Sequence, residues 1–289
     1  MDLILIYAID VIGAIAMLAL LSIGLAVVFG MMKIINLAHG DFMMLGGYVT
    51  ILATNKLGVP IWISMLVLAP LAVGLFGIIV EHLIVRHLYG RMIDTMLATW
   101  GLSLAIVGLG TMIFGNTTLG ISTPLGSVTI GARQTSGYTL FLVALACVVS
   151  AGVYAALRFT SVGMRARACM QNADMCDALG MNPDLVYKLT FGAGAALSGL
   201  AGAAFAPLSG VIPTIGAAYV AKAFITVICG GTAVVAGTLS ASSLFGIVSQ
   251  AVTFVATPVF GEISVFIAAI VLVRLLPQGI TGRFFRRAS

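Results

Sequence analysis

The chain has 289 residues, of which 61% are hydrophobic and 8% charged, with a formal net charge of +5. A soluble domain carries about 25% charged residues, so this composition excludes a water-facing surface and makes the bilayer the main solvent, where only helices or closed barrels satisfy every backbone group. Long unbroken apolar runs stand in place of the ~10-residue alternating strands of a barrel. The expected fold is therefore all-α, a polytopic transmembrane helical bundle of about eight or nine spans, some short or broken, at roughly 20 residues each. It forms a single transmembrane domain over 1–289, with no room for a sizeable soluble domain.

The first apolar span covers 7–30. Met1-Asp2-Leu3 lacks a basic n-region, so no cleaved signal peptide is expected. The polar stretch Lys33-Ile34-Ile35-Asn36-Leu37-Ala38-His39-Gly40-Asp41-Phe42 joins it to a short span at 39–55. Polar groups between apolar spans are costly unless they face protein or a watery cavity. Asn36, His39 and Asp41 are therefore candidates for a substrate pathway. If the chain unwinds here, freed backbone groups and the positive end of the short helix can meet a polar solute at membrane depth. The alternative is an interfacial turn, with Asn36 as helix cap and His39 and Asp41 satisfying that turn.

The third span, 60–85, carries Glu81 and His82 near its end. The spacing from Glu81 to Arg86 predicts an interfacial ion pair. The fourth, 95–114, repeats Thr95, Thr99 and Ser103 every four residues, one polar stripe on an apolar helix. It lines a pathway or bonds neighbouring helices, and Asp94 before it is a candidate N-cap. The segment 115–137, rich in Gly, Thr and Ser, is too short for a domain and suits an entrance or docking surface.

After a span at 138–157, residues 158–183 form the longest polar connection. Within it, 164–181 reads as one amphipathic surface helix ending at Gly180, with Arg165, Arg167, Asp174 and Asp177 among Ala178, Leu179 and other apolar residues. Asn182-Pro183-Asp184 starts the next span, 184–208, as N-cap, first helical position and first-turn acid. Its spacings Gly192/Ala196 and Ala195/Gly199/Ala203 favour tight packing within the chain over a dimer face. Spans at 219–232, 238–257 and 262–276 follow. Gln250 is the one Asn or Gln in its span, a further pathway candidate, and Glu262 is a first-turn acid.

Arg86, Arg91, Arg158, Arg165, Arg167, Lys188 and the tail Arg283, Arg286 and Arg287 fall on one side, which the positive-inside rule makes cytoplasmic. The N-terminus is then outside and the C-terminus inside. Basic residues at helix ends imply membrane lipid, not nucleic acid, as partner. Cys147, Cys169, Cys176 and Cys229 are scattered, which suggests neither a disulfide framework nor a metal site. No catalytic constellation is present, and no phosphate-binding G-x-x-x-x-G-K-[ST] loop. Enzymatic activity and a bound cofactor are not expected. Any ATP and Mg would act on partner subunits, reached through the 158–183 surface.

Gly24-Leu25-Ala26-Val27-Val28-Phe29-Gly30, Ile34 through Phe42 and Gly46-Gly47-Tyr48 resemble the N-terminal signature of permeases of the branched-chain amino acid family of ABC importers. Gly163 through Ala168 and Ala178-Leu179-Gly180-Met181-Asn182 resemble that family's ATPase-coupling segment, and Ser198 through Gly202 and Pro277-Gln278-Gly279-Ile280 also fit. Leu88 through Arg91, Asp94 through Gly101 and Met170-Gln171-Asn172 are similar to its urea-permease branch. The chain departs from the family's Gly-Gly-x-Gly-Ser-like turn, having Gly230-Gly231-Thr232-Ala233-Val234-Val235-Ala236-Gly237.

The resemblance implies an inner-membrane alternating-access importer of two related permeases, two ATPases and a periplasmic solute-binding protein. It also implies a small polar solute, an amino acid or an amide such as urea, with the amino-acid class favoured. It makes Arg165, Arg167, Asp174, Asp177, Ala178, Leu179 and Gly180 the coupling residues. The rival class is a passive channel or ion-coupled transporter, for which Asp41 and Glu81 are the plausible proton carriers.

Overall fold

The computed structural model describes residues 2–130 and 133–285. Among the described residues seven helices are long and apolar enough to cross a membrane, and Ile215–Gly230 is a shorter apolar helix. In chain order the helices are α1 (Asp2–Met32), α2 (His39–Asn55), α3 (Ile61–Ile63), α4 (Ala69–Leu83), α5 (Met92–Phe114), α6 (Gly137–Phe159), α7 (Ser161–Gln171) and α8 (Ala173–Ala178). They continue as α9 (Pro183–Ser209), α10 (Ile215–Gly230), α11 (Val234–Val255), α12 (Pro258–Leu275) and α13 (Gly279–Phe285). A π turn over Ser64–Leu68 joins α3 and α4 into one 23-residue span. The expected spans all recur as helices, and the segment before α6 adds a small antiparallel hairpin, β1 (Ser127–Ile130) with β2 (Arg133–Ser136).

The chain divides into two compact units: residues 24–122 with 152–221, and residues up to 23 with 123–151 and those from 222 on. In the first unit α9 packs against both α2 and α4. Its small residues set the spacing. A Cβ on Gly202 would overlap the Met43 carbonyl of α2, and one on Gly46 would overlap Gly199. Without a hydrophobic force between helices in lipid, such backbone approach supplies the packing. Phe42, Tyr48, Val73, Phe191 and Ala195 fill the core around it. On one edge Leu119 and Val211 exchange backbone hydrogen bonds of 3.0 and 2.8 Å. In the second unit α11 packs against α12 and α13. There the turn that lacks the family's third glycine is held by Thr281, which donates to the Gly230 carbonyl at 2.6 Å and accepts from Ala233 N–H at 3.3 Å.

Four local expectations are corrected, the first being Glu262, which lies past the first turn of α12 and pairs with Lys222 at 2.6 Å. The surface helix over 164–181 is two helices. Asn172 is extended, and its side chain accepts from Met175 N–H at 2.9 Å, so it caps α8 while ending α7. Asp94 is not an N-cap. The cap position is Arg91, and Asp94 sits inside the first turn, paired with the Arg91 guanidinium at 2.5 Å. Glu81 does not pair with Arg86. It is fully buried and accepts from the Tyr89 hydroxyl, while Arg86 pairs with Asp184 at 3.0 Å. Five residues on, past the end of α4 at Leu83, the chain no longer follows helical spacing, which is why the sequence offset misleads. By contrast Asn182 caps α9 as expected, accepting from Leu185 N–H at 3.1 Å. Arg286 and Arg287 of the basic tail lie outside the described residues.

Candidate functional site

Between α1 and α2 the chain unwinds over 33–38. Lys33 adopts a positive φ of 53°, a conformation that halts the helix. Unwound backbone needs new partners in a membrane. The Asn36 side chain accepts from Ala38 N–H at 3.0 Å, and Thr99 Oγ1 accepts from Leu37 N–H at 3.2 Å. The Thr99 hydroxyl donates to the Thr95 carbonyl at 2.9 Å, and that of Thr95 to the Arg91 carbonyl at 2.9 Å. Thr95 and Thr99 are wholly buried and Thr99 ties α5 to the break, while Ser103, one turn further on, is half-buried.

Asn36, His39 and Asp41 are each no more than 2% exposed. The Ser198 hydroxyl donates to the Gly194 carbonyl at 2.8 Å and lies 3.0 Å from Nδ1 of His39. With the serine proton engaged, the histidine Nδ1–H is the donor to Ser198. Asp41, in the first turn of α2, faces Ser103 of α5, and its Oδ2 has no partner among the described residues. Gly216, in the first turn of α10, closes the other side: a Cβ there would overlap the Gly40 backbone and the Asp41 carboxylate. The starts of two short helices therefore flank one carboxylate, and their partial positive charges offset its desolvation. Ser103 is the middle residue of the 23-residue α5, and Ser198 lies near the middle of the 27-residue α9. At 1.5 Å per residue both helices are long enough to cross a ~30 Å hydrocarbon core, and Asp41 faces the middle of α5 from the start of α2.

Gln250 belongs to the other unit. It is half-buried on α11 and lines a cleft of about 480 Å³ with Tyr7, Asp10 and Val11 of α1. Arg165, Arg167, Asp174, Asp177, Ala178, Leu179 and Gly180 are all exposed on α7, α8 and the turn after them. Beneath them Cys169 and Cys176 are buried. Burial pushes the Cys169 thiol up to about 11, so it is neutral packing rather than a reactive thiolate. Asp174, Asp177, Gly180 and Asp184 line a cleft of about 580 Å³.

Sequence reasoning missed three groups. Ser198 is silent in sequence because its partner His39 is 159 positions away. Asp10, the lone charged residue between Leu3 and Met32, carries a sequence signal of its own, an acid inside an apolar run. Tyr89 links the two ends of a chain of contacts: its hydroxyl donates to Glu81, and its ring lies 5.0 Å from that of Tyr187. The Tyr187 hydroxyl in turn donates to the Cys169 carbonyl at 3.4 Å. Burial, and next the Glu81 carboxylate, raise the Tyr89 phenol above its ordinary value, so it stays a proton donor.

Residues 7–276 match the family described as branched-chain amino acid transport system, permease component. The chain belongs to this family. Relatives include the high-affinity branched-chain amino acid transport system permease protein LivH of Escherichia coli K12, 26% identical over 286 residues, and BraD of Pseudomonas aeruginosa, 27% identical over 287, each covering 92% of this chain and 91% of the relative. LivH of Salmonella typhimurium is 24% identical with the same coverage. Among solved structures, PsaBC from Streptococcus pneumoniae in complex with Fab matches with a TM-score of 0.51 at 12% identity, covering 98% of this chain and 95% of that one, a likeness of fold alone. The permease is thus a multi-pass inner-membrane subunit of an amino-acid importer, not an enzyme. Its ATPase is a separate subunit, and a solute-binding protein is a partner of its family.

Proposed function

We propose that this permease carries branched-chain amino acids inward by alternating access, as one of two related permeases working with two ATPases and a periplasmic solute-binding protein. The family match over 7–276 carries the reading. The N-terminus lies outside and the C-terminus in the cytoplasm, an orientation supported by the basic loops at Arg86, Arg91, Arg158, Arg165 and Arg167. Asn36, His39, Asp41, Thr95, Thr99 and Ser103 form the translocation core, and Gln250 is a further pathway residue. The exposed face of Arg165, Arg167, Asp174, Asp177, Ala178, Leu179 and Gly180 receives the ATPases, where ATP and Mg act. The permease itself holds no cofactor. The residues 158–183 serve as the coupling segment of a single permease domain.

The motifs Leu88 through Arg91 and Asp94 through Gly101 support a second reading, an importer of urea or another short amide. A direct test is purification from native membranes. The importer reading expects ATPase subunits to copurify, with their ATP hydrolysis stimulated several-fold by leucine-loaded binding protein. A permease that isolates alone and equilibrates solute without ATP would be a channel instead.

A further inference from the structure

Asp10 is the unexplained charge of the first span. Residues 3–32 contain no other charged side chain. Among the described residues no cation pairs with it and no hydrogen-bond donor is assigned to it. An ionisable group kept in an apolar span is functional by default.

The packing of α1 on α11 explains where it points. Gly246 lets α11 approach Ile15 so closely that a Cβ would overlap the Ile15 backbone. One and two turns further along α11 lie Gln250 and Phe254, and one and two turns back along α1 lie Val11 and Tyr7. The Tyr7 and Phe254 rings meet edge-on at 4.0 Å. Between them opens the cleft of about 480 Å³, lined also by Asp10, Ile247 and Ala251. That volume suits a small molecule.

Its chemistry is specific. One carboxylate beside two aromatic rings receives an ammonium group. One carboxamide, with no hydrogen bond assigned to it among the described residues, receives a carboxylate. Val11, Ile247 and Ala251 offer an aliphatic wall. We infer that this cleft is a solute site in its own right, taking a zwitterionic amino acid with a short aliphatic side chain, its ammonium on Asp10 and its carboxylate on the Gln250 amide. The inference rests on the amino-acid reading and on the proposed orientation, which opens the cleft toward the binding protein.

The test is equilibrium binding of labelled leucine to the permease in lipid nanodiscs, beside ATP-driven leucine uptake by the complete importer. Wild type should bind leucine, with competition from valine but none from 4-methylpentanoate, which lacks the ammonium. Asp10→Asn and Gln250→Ala should each weaken binding at least tenfold and raise the half-saturating concentration for uptake. Asp10→Glu should restore part of the loss, and Ile12→Ala, exposed on the same helix, should change neither. Unchanged binding in Asp10→Asn overturns the site. So does an Asp10→Asn defect seen with phosphatidylethanolamine nanodiscs but absent from phosphatidylglycerol ones, which would make a lipid headgroup the ammonium. If the importer takes up leucine normally while the isolated permease binds none, the site fails and the functional reading stands. If the importer takes up no leucine at all, the functional reading itself fails.

Discussion

The His39 ring and the Ser198 hydroxyl, 3.0 Å apart, join the start of α2 to the middle of α9. Both residues are buried, so neither has water as an alternative partner. The pair fixes where the chain re-enters a helix after the break, and Gly46 and Gly202 bring the two backbones close enough for it to form.

Removing the hydroxyl tests this. Ser198→Ala removes one hydrogen-bond partner of the buried His39, at a cost of about 1–3 kcal/mol. The purified permease should unfold at a lower temperature, measured by fluorescence-detected size exclusion. A His39→Leu/Ser198→Ala pair should lose less than the sum of the single changes, because both remove one interaction.

Thr99→Val removes the acceptor for Leu37 N–H while keeping the shape of the side chain. Leaving that amide unsatisfied costs about 1–3 kcal/mol and loosens the break. A cysteine placed at Leu37 should then react with a small maleimide several-fold faster than in the Thr99 background. Thr99→Ser, which keeps the hydroxyl, should react at the parent rate.

Gly202→Leu should abolish folded protein. The added side chain has no space against the Met43 carbonyl of α2, and the conflict is with backbone rather than with a movable side-chain tip. Gly101→Leu, where a Cβ meets nothing, should express and run as a sharp gel-filtration peak. Equal expression of the two would contradict the α2–α9 packing.

Tyr89 stands between Tyr187 of α9 and the buried Glu81. Tyr89→Phe deletes the hydrogen bond to Glu81 and keeps the ring against Tyr187. In the complete importer it should leave ATP hydrolysis within about twofold of the parent and cut solute uptake per ATP at least fivefold, a ratio measured in one vesicle preparation. Arg86→Ala removes only a partly exposed ion pair with Asp184, worth less than about 1 kcal/mol, and should change that ratio little.

The helical fold was legible because the signal is local: each span is one apolar run, and the short span at 39–55 recurs at those same limits as α2. Asn182 and Pro183 were legible for the same reason, a cap and a first-turn proline acting on their own neighbours. The break at Asn172 was not, since helix-forming residues surround it and only the side-chain bond to Met175 N–H marks the change of direction. At the candidate site the sequence named Asn36, His39, Asp41 and the Thr95, Thr99, Ser103 stripe, and the structure sets Asp41 beside Ser103 and bonds Leu37 to Thr99. It could not name Ser198 or Gly216 as their neighbours, because those contacts depend on how α9 and α10 return to α2. Glu81 misled for the converse reason: the nearest cation in sequence, Arg86, turns to Asp184, and a phenol takes its place.

The most direct measurement is ATP-dependent uptake by proteoliposomes holding this permease, its copurified partners and the binding protein, with labelled leucine and labelled urea run side by side. Accumulation of leucine against its gradient, abolished when ATP is withheld, is the predicted result. Accumulation of urea without leucine would contradict the amino-acid reading, and equal ATP-independent equilibration of either solute would contradict the importer itself.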